Sequence, residues 1–233
     1  MTTYKEINGT NIEAVSSDPA NPVTGQVWYN TTDNVLKGAA QTTAGAWATG
    51  GTMNTGRDQT MGAGDKTAAL AFGGGYPAKT ETEKYNGSTW TEVNNLNTGR
   101  RNAAGFGTQT AAICAGGLDP TLAIVESFNG TCWAEVNDLN TARSAAKGVG
   151  ITTTGLVYGG YTSTNVAVNE SWNGTCFSEV NDMNTARATL SGAGTRTAAL
   201  AFNGGPQANV GGAIYTTESW NGTNWTALSS PSN

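Results

Sequence analysis

The fold is decided by the stretch Glu83-Lys-Tyr-Asn-Gly-Ser-Thr-Trp90, which the chain repeats three more times with small changes. The later copies are Glu126-Ser-Phe-Asn-Gly-Thr-Cys-Trp133, Glu170-Ser-Trp-Asn-Gly-Thr-Cys-Phe177 and Glu218-Ser-Trp-Asn-Gly-Thr-Asn-Trp225. A matching series of arginines is spaced by 43, 43 and 44 residues: Arg57, Arg100, Arg143 and Arg187. A repeat of this length over most of the chain predicts a single array of identical structural units.

Each unit predicts four short strands. A Gly-x-Gly segment follows each arginine, and an apolar run ending in Gly-Gly comes next; the third strand carries the repeated Glu and the fourth begins at the Trp or Phe. Glycine weakens a strand unless backbones crowd together, so the Gly-x-Gly strand is predicted to be innermost. Asn-Gly between the third and fourth strands predicts a type I′ hairpin turn. Four strands in about 43 residues match a blade of a β-propeller.

Composition excludes several classes of function. The 32 glycines and the 12% of charged residues favour an all-β chain with almost no helix. A net charge of −5 argues against nucleic-acid binding. We expect no membrane insertion and no signal peptide, because no apolar run is long enough and the N-terminus has no apolar core. The chain contains no histidine, so we expect no metal, no cofactor and no enzymatic activity.

The repeat resembles the Kelch repeat. The resemblance rests on Gly-Gly at the end of the second strand, an aromatic residue before a turn, and a Trp six residues before Leu or Met with Arg four further on, and it covers residues 57–225. Asn-Thr-Gly-Arg or Asn-Thr-Ala-Arg replaces the usual proline-containing segment before the Arg. The resemblance implies a Kelch-like β-propeller, although the copper oxidases of that family need histidine ligands that this chain lacks.

A second resemblance involves residues 21–38, Asn21-Pro-Val-Thr-Gly-Gln-Val-Trp-Tyr-Asn-Thr-Thr-Asp-Asn-Val-Leu-Lys-Gly38. This segment is similar to stretches near the start of virion structural proteins of tailed bacteriophages, especially marine ones. Together the two resemblances imply a phage particle component located in the virion, and the lack of a signal-peptide core predicts that it is made in the host cytoplasm.

The number of blades depends on residues 12–52. These residues contain Ile12–Val15, Gln26–Tyr29, Val35–Ala39 and Ala46–Thr52, enough for a degenerate blade of four short strands. We therefore expect five blades, with residues 1–25 as an N-terminal arm that anchors the protein in the virion and residues 26–233 as the propeller. The alternative is four blades, with the N-terminal hairpin docked on another virion subunit.

The repeated charged residues have two interpretations. The favoured one is structural: each arginine pairs with the glutamate of its repeat, Glu83, Glu126, Glu170 or Glu218, or bonds to strand-end carbonyls. The other is ligand binding, since Gly87-Ser-Thr-Trp90 is also similar to the Asp-box of sialidase propellers, whose arginine clusters bind substrate. Aromatic residues stand where the Asp-box has its aspartate, namely Tyr85, Phe128, Trp172 and Trp220.

The repeated aromatics of the fourth strands are predicted to be wedges between blades: Trp47, Trp90, Trp133, Phe177 and Trp225. Binding is instead predicted in the unequal loops between Gly-Gly and the repeated Glu, at residues 75–82, 118–125, 161–169 and 206–217. The candidate binding residues are Tyr76, Asp119 and Tyr161.

These observations predict a non-enzymatic virion structural protein, acting as a tail fibre, capsid decoration or host-contacting module. Its expected partners are other virion proteins, reached through the N-terminal arm, a host surface glycan or receptor, and further copies of the same chain. The alternative is a carbohydrate-binding propeller or a weak glycosidase that acts on host surface glycans.

Overall fold

The computed structural model describes residues 4–7, 10–20, 26–38, 49–205 and 214–228. Within these ranges all the regular structure is β, which confirms the prediction of an all-β chain. Twenty described strands form five four-stranded sheets in which consecutive strands are neighbours. The chain divides into two compact units, residues 1–49 and 50–233.

The first unit contains one sheet, and its pairing differs from that of the others. Its strands are β1 (Tyr4–Ile7), β2 (Thr10–Val15), β3 (Val27–Asn30) and β4 (Val35–Gly38). β2 and β3 are parallel, and the other two pairs are antiparallel. A parallel pair cannot be joined by a tight hairpin, and β2 and β3 are accordingly far apart in the sequence.

The N-terminal sheet also differs from the fifth blade expected from the sequence. Strands overlap three of the four predicted segments, but the sheet is completed by β1. Of the predicted segment Ala46–Thr52, residues 49–52 lie outside any strand, and residues 46–48, with Trp47, lie outside the described residues.

The second unit contains four antiparallel sheets, one for each repeat, which we number in chain order. The first repeat sheet consists of β5 (Met61–Gly64), β6 (Ala69–Phe72), β7 (Thr82–Tyr85) and β8 (Trp90–Val93), and the second of β9 (Ala104–Thr108), β10 (Ala111–Gly117), β11 (Leu122–Phe128) and β12 (Trp133–Val136). The third consists of β13 (Lys147–Ile151), β14 (Thr154–Tyr158), β15 (Asn169–Trp172) and β16 (Phe177–Val180), and the fourth of β17 (Ser191–Gly194), β18 (Ala199–Phe202), β19 (Thr217–Trp220) and β20 (Trp225–Leu228).

The hairpin between the third and fourth strands occurs in every repeat sheet, but the predicted type I′ turn is wrong. Tyr85 pairs with Trp90, so the loop has four residues, and only Gly87 takes a positive φ, of 93°. The side-chain oxygen of Asn86 instead accepts hydrogen bonds from the backbone N–H groups of Ser88 and Thr89, at 2.9 and 2.8 Å. Asparagine therefore acts through its side chain, which caps the turn, and does not need a left-handed backbone.

The first strands of successive repeat sheets are neighbours, in the order β5, β9, β13 and β17. A Cβ atom added to Gly105 would lie 3.2 Å from the carbonyl oxygen of Gly62 and 2.9 Å from the Cβ of Met61. The same addition at Gly148 would meet the Phe106 ring at 2.6 Å. These close approaches confirm the prediction that the Gly-x-Gly strands crowd together.

Successive repeat sheets pack face to face, and each interface has its own apolar cluster. The Trp133 ring is 5% exposed and lies 4.8 Å from the ring of Phe72 in the preceding sheet. Trp225 contacts Tyr158 of the preceding sheet at 4.9 Å, and Phe177 belongs to a cluster with residues of the second sheet. The wedge prediction is therefore confirmed for these three aromatics, whereas Trp90 is only half-buried.

Candidate binding face

The repeated Arg and Glu form a buried ion pair in every repeat sheet. The guanidinium of Arg57 lies 3.2 Å from the Glu83 carboxylate, and that of Arg187 lies 2.6 Å from Glu218. Arg100 pairs with Glu126, and Arg143 with Glu170. The four arginine side chains have no exposed surface, so none of them can contact a ligand in this conformation.

Burial and pairing act in opposite directions on these arginines. Burial lowers the pKa of Arg143, and the charge of Glu170 counteracts it. The pKa values of Arg57 and Arg187 are lowered for the same reason. Arginine remains charged at neutral pH even so. A buried charge of this kind requires its partner, and the pair therefore belongs to the scaffold.

Two residues of each repeat that the sequence alone did not single out complete this ion pair. In every repeat an asparagine three positions before the Arg donates its backbone N–H to the carboxylate at 2.7–2.8 Å and its side-chain amide at 2.8–2.9 Å. The next residue, a threonine, adds a backbone N–H at 3.2–3.3 Å. The asparagines are Asn54, Asn97, Asn140 and Asn184. The regular Asn-Thr-x-Arg spacing was the available signal.

This Asn-Thr-x-Arg segment also joins one repeat sheet to the next. Asn97 follows the last strand of the first repeat sheet, yet its side chain bonds to Glu126 and to the carbonyl oxygen of Trp133, both in the second sheet. The Asn side-chain bond to the fourth-strand carbonyl occurs in all four repeats, at 3.0–3.2 Å. The connection between sheets is thereby fixed to the strands that follow it.

Two of the three candidate binding residues meet through an arginine that has no counterpart in the other repeats. The Arg101 guanidinium lies over the Tyr76 ring, 5.2 Å from its centroid, and its Nε is 2.7 Å from the Asp119 carboxylate. Its Nη1 donates to the side-chain oxygen of Gln59 at 2.6 Å. The hydrogen bond with Asp119 raises the pKa of Arg101, so the guanidinium stays charged. We call Gln59, Tyr76, Arg101 and Asp119 the tyrosine cluster.

The tyrosine cluster exposes its aromatic ring to solvent, and backbone hydrogen bonds hold its arginine in place. Tyr76 is 81% exposed, while the Arg101 side chain is only 18% exposed. Arg101 and Leu118 exchange backbone hydrogen bonds of 3.4 and 2.8 Å, which fix the start of the second repeat sheet to the loop that carries Asp119. An exposed aromatic ring on a rigid base can bind a ligand at a low cost in conformational entropy.

Tyr161 has a different environment. It exchanges backbone hydrogen bonds of 2.8 and 3.0 Å with Ser144, at the position that corresponds to Leu118, and it is half-buried. Among the described residues, no hydrogen bond or ring contact joins Tyr161 to the tyrosine cluster. The fourth unequal loop is described only at residues 214–217, where Tyr215 is 75% exposed.

A ladder of backbone hydrogen bonds runs beside the cluster. Each donor is the N–H two residues after a repeated Arg, and each acceptor is the equivalent carbonyl one repeat earlier: Asn102 to Gln59 at 3.2 Å, Ala145 to Asn102 at 2.7 Å and Thr189 to Ala145 at 3.0 Å. All four residues have left-handed φ values of 50–52°. The inter-sheet bonds offset the cost of this conformation. A pocket of about 220 Å³ with a mixed polar and apolar lining opens among these residues.

The described part of the chain contains no group of three or more potential metal-ligating His, Cys, Asp or Glu side chains. No helix long and apolar enough to cross a membrane occurs in the described ranges. The chain matches no known protein-family model and no curated protein sequence.

Proposed function

We propose that this protein is a non-enzymatic structural component of a bacteriophage particle. In this proposal the N-terminal unit attaches the protein to other virion proteins, and the repeat array is displayed as a fibre, decoration or host-contacting module. The proposal places the protein in the virion after synthesis in the host cytoplasm. The segment that resembles phage virion proteins, residues 21–38, falls within the N-terminal unit, which is compact in its own right.

The observation that carries the proposal is the internal bonding of this unit. Asp18 accepts hydrogen bonds from Trp28 Nε1 at 2.9 Å and Asn30 Nδ2 at 2.8 Å, and it pairs with Lys37 at 2.8 Å. These contacts tie the connection after β2 to both strands of the β3–β4 hairpin. A small unit with its own polar network and its own sheet suits an attachment module that is separate from the array.

We also propose that the repeat sheets are Kelch-like propeller blades. The parallel pair in the N-terminal sheet argues against a fifth blade of the same kind, because every repeat sheet is antiparallel. The number of blades stays a prediction that an image of the isolated array along its axis would test.

Deletion of residues 1–49 tests the attachment role. The truncated protein should keep the strand signal of the array in circular dichroism but should not co-sediment with particles. The matched control is the full chain with Tyr76→Ala, which changes the array and leaves the N-terminal unit intact. Normal incorporation of the truncated protein into particles would contradict the proposal.

A second function, carbohydrate binding at the tyrosine cluster, is favoured by one observation: Tyr76 is 81% exposed, and its ring contacts the Arg101 guanidinium, which also bonds to Asp119 and Gln59. An aromatic face packs on the C–H groups of a sugar, and neighbouring carboxylate and amide oxygens accept bonds from its hydroxyls. Tyr76→Ala should abolish binding on a bacterial glycan array, and Tyr215→Ala, at an equally exposed tyrosine, should not. Equal signals from the two variants would exclude the cluster.

A further inference from the structure

At each interface between successive repeat sheets, an aromatic residue from the start of a fourth strand is buried against the preceding sheet. In the first repeat sheet, Leu70 and Phe72 on β6 and Thr82 on β7 form a socket, and Trp133 of the second sheet enters it as a wedge. Its ring lies 4.8 Å from that of Phe72, and its Nε1 donates to the Thr82 hydroxyl at 3.0 Å. Leu70 is 1% exposed, and the corresponding residues of the second and third sheets, Ile113 and Leu156, are fully buried.

The fourth repeat sheet repeats this socket in sequence and in register. The strand Ala199–Phe202 has the same sequence, Ala-Leu-Ala-Phe, as Ala69–Phe72. Phe202 pairs across the sheet with Thr217, as Phe72 pairs with Thr82. The fourth sheet therefore presents Leu200, Phe202 and Thr217 at the positions where the first sheet holds a tryptophan.

Within the described chain, this fourth socket is open. Leu200 is 39% exposed, against 0–1% for its three counterparts, and Phe202 and Thr217 are half-buried. An open pocket of about 330 Å³ borders Leu200 and Ala193. An apolar surface that is fully covered in three repeats and exposed in the fourth is a surface that lacks its partner.

The first repeat sheet carries the complementary feature, an aromatic wedge that enters no socket among the described residues. Trp90 begins β8 as Trp133 begins β12, and the two strands read Trp-Thr-Glu-Val and Trp-Ala-Glu-Val. Trp133, Phe177 and Trp225 are each 5% exposed, whereas Trp90 is half-buried. Among the described residues, the only ring that Trp90 contacts is Tyr85 of its own sheet, at 5.0 Å.

We propose that two copies of this chain associate head to tail, with Trp90 of one copy entering the Leu200–Phe202–Thr217 socket of the other. The occupant follows from the repeat itself, because the same sequence in the first sheet already binds a tryptophan at the start of a Trp-x-Glu-Val strand. The wedge and the socket lie in the first and fourth repeat sheets, the two ends of the described array. Leu200 is 39% exposed, and we assign its partner to a second copy.

This interface is heterologous, since the two copies contribute different surfaces. Each bound copy leaves one wedge and one socket free, so association continues until a ring closes or a filament forms. The inference does not depend on the phage proposal, because it uses only contacts within the repeat array.

The test uses two single variants of the full chain, Trp90→Ala and Leu200→Lys, in sedimentation velocity over a concentration series. The wild-type protein should form species larger than a monomer as its concentration rises. Each variant alone should associate about thirtyfold more weakly or worse, as expected for the loss of a central interface anchor. Ile151→Lys, at an aliphatic side chain that is 49% exposed in the third sheet, is the matched control and should behave as wild type.

Mixing the two variants gives the decisive result. Trp90→Ala keeps an intact socket and Leu200→Lys keeps an intact wedge, so the mixture should form a heterodimer and nothing larger. Circular dichroism of each variant serves as the control that the variant is folded. A wild-type monomer at every concentration, as closure of the socket by the same chain would give, overturns the proposal, and so does a mixture that fails to dimerise.

Discussion

Replacement of Glu126 by alanine should be among the most destabilising single changes in this protein. The carboxylate is completely buried, and it accepts bonds from Asn97, Thr98 and Arg100. Asn97 is exposed, so water can replace its lost bond, but Arg100 has no exposed surface. Glu126→Ala therefore leaves a buried guanidinium without its counter-charge.

The expected cost is about 3–5 kcal/mol in the free energy of unfolding, the usual penalty for an unpaired buried charge. Arg100 keeps bonds to the carbonyl oxygens of Ile124 at 2.6 Å and Gly116 at 3.4 Å, which hold the guanidinium in place but do not neutralise it. For an array of this size, that loss lowers the midpoint of thermal unfolding by roughly 6–20 °C.

Urea unfolding followed by tryptophan fluorescence, together with thermal circular dichroism, measures the effect. The matched control is Glu135→Ala, because Glu135 is exposed and lies directly across the sheet from Glu126. It should change the free energy by less than about 0.5 kcal/mol. The double variant Arg100→Met with Glu126→Leu removes both charges and should recover most of the stability.

Two results would refute this reasoning. If Glu126→Ala costs no more than Glu135→Ala, the buried pair does not hold the array together. If the double variant is as unstable as Glu126→Ala, the loss in the free energy of unfolding comes from altered packing or from the lost backbone hydrogen bonds. It does not then come from the unpaired charge.

Three further predictions follow from the described contacts. Burial raises the pKa of the Cys114 thiol to about 12, so iodoacetamide should label exposed Cys132 in the folded protein and Cys114 only after unfolding, as peptide mass spectrometry would show. The hydrogen bonds from Lys37, Asn30 and Trp28 lower the pKa of Asp18 to about 2, so its stabilising contribution is present above pH 4 and is lost as the pH falls towards 2. Asp18→Asn should remove that part of the acid sensitivity in hydrogen exchange of the N-terminal unit. Trp133→Ala should cost about 3–5 kcal/mol in urea unfolding, because it empties a filled socket.

The sequence determined the repeating parts of this protein. The spacing of the arginines predicted four similar units, and the alternation of glycine-rich, apolar and aromatic segments predicted their four strands, because both patterns depend on residues near one another in the chain. The wedge role of Trp133 could also be predicted, since a large aromatic that recurs in every unit needs an equivalent burial site in every unit.

The turn type and the N-terminal sheet show where local patterns were insufficient. Asn-Gly is compatible with two turns, and the side-chain bonds of Asn86 select the one without a left-handed asparagine. Nothing in residues 1–38 indicated that β2 and β3 would pair in parallel, because strand direction depends on the path of the connection between them.

Only the tertiary structure decided which residues meet across repeats and which are left exposed. Arg101 bonds to Gln59, 42 positions earlier, and it joins Tyr76 to Asp119 because the start of one sheet lies beside the loops of its neighbours. Leu70 and Leu200 occupy the same position in identical strands, yet one is buried and the other is 39% exposed. The identical strand sequences cannot account for this difference in exposure. It depends on whether another sheet packs against the strand.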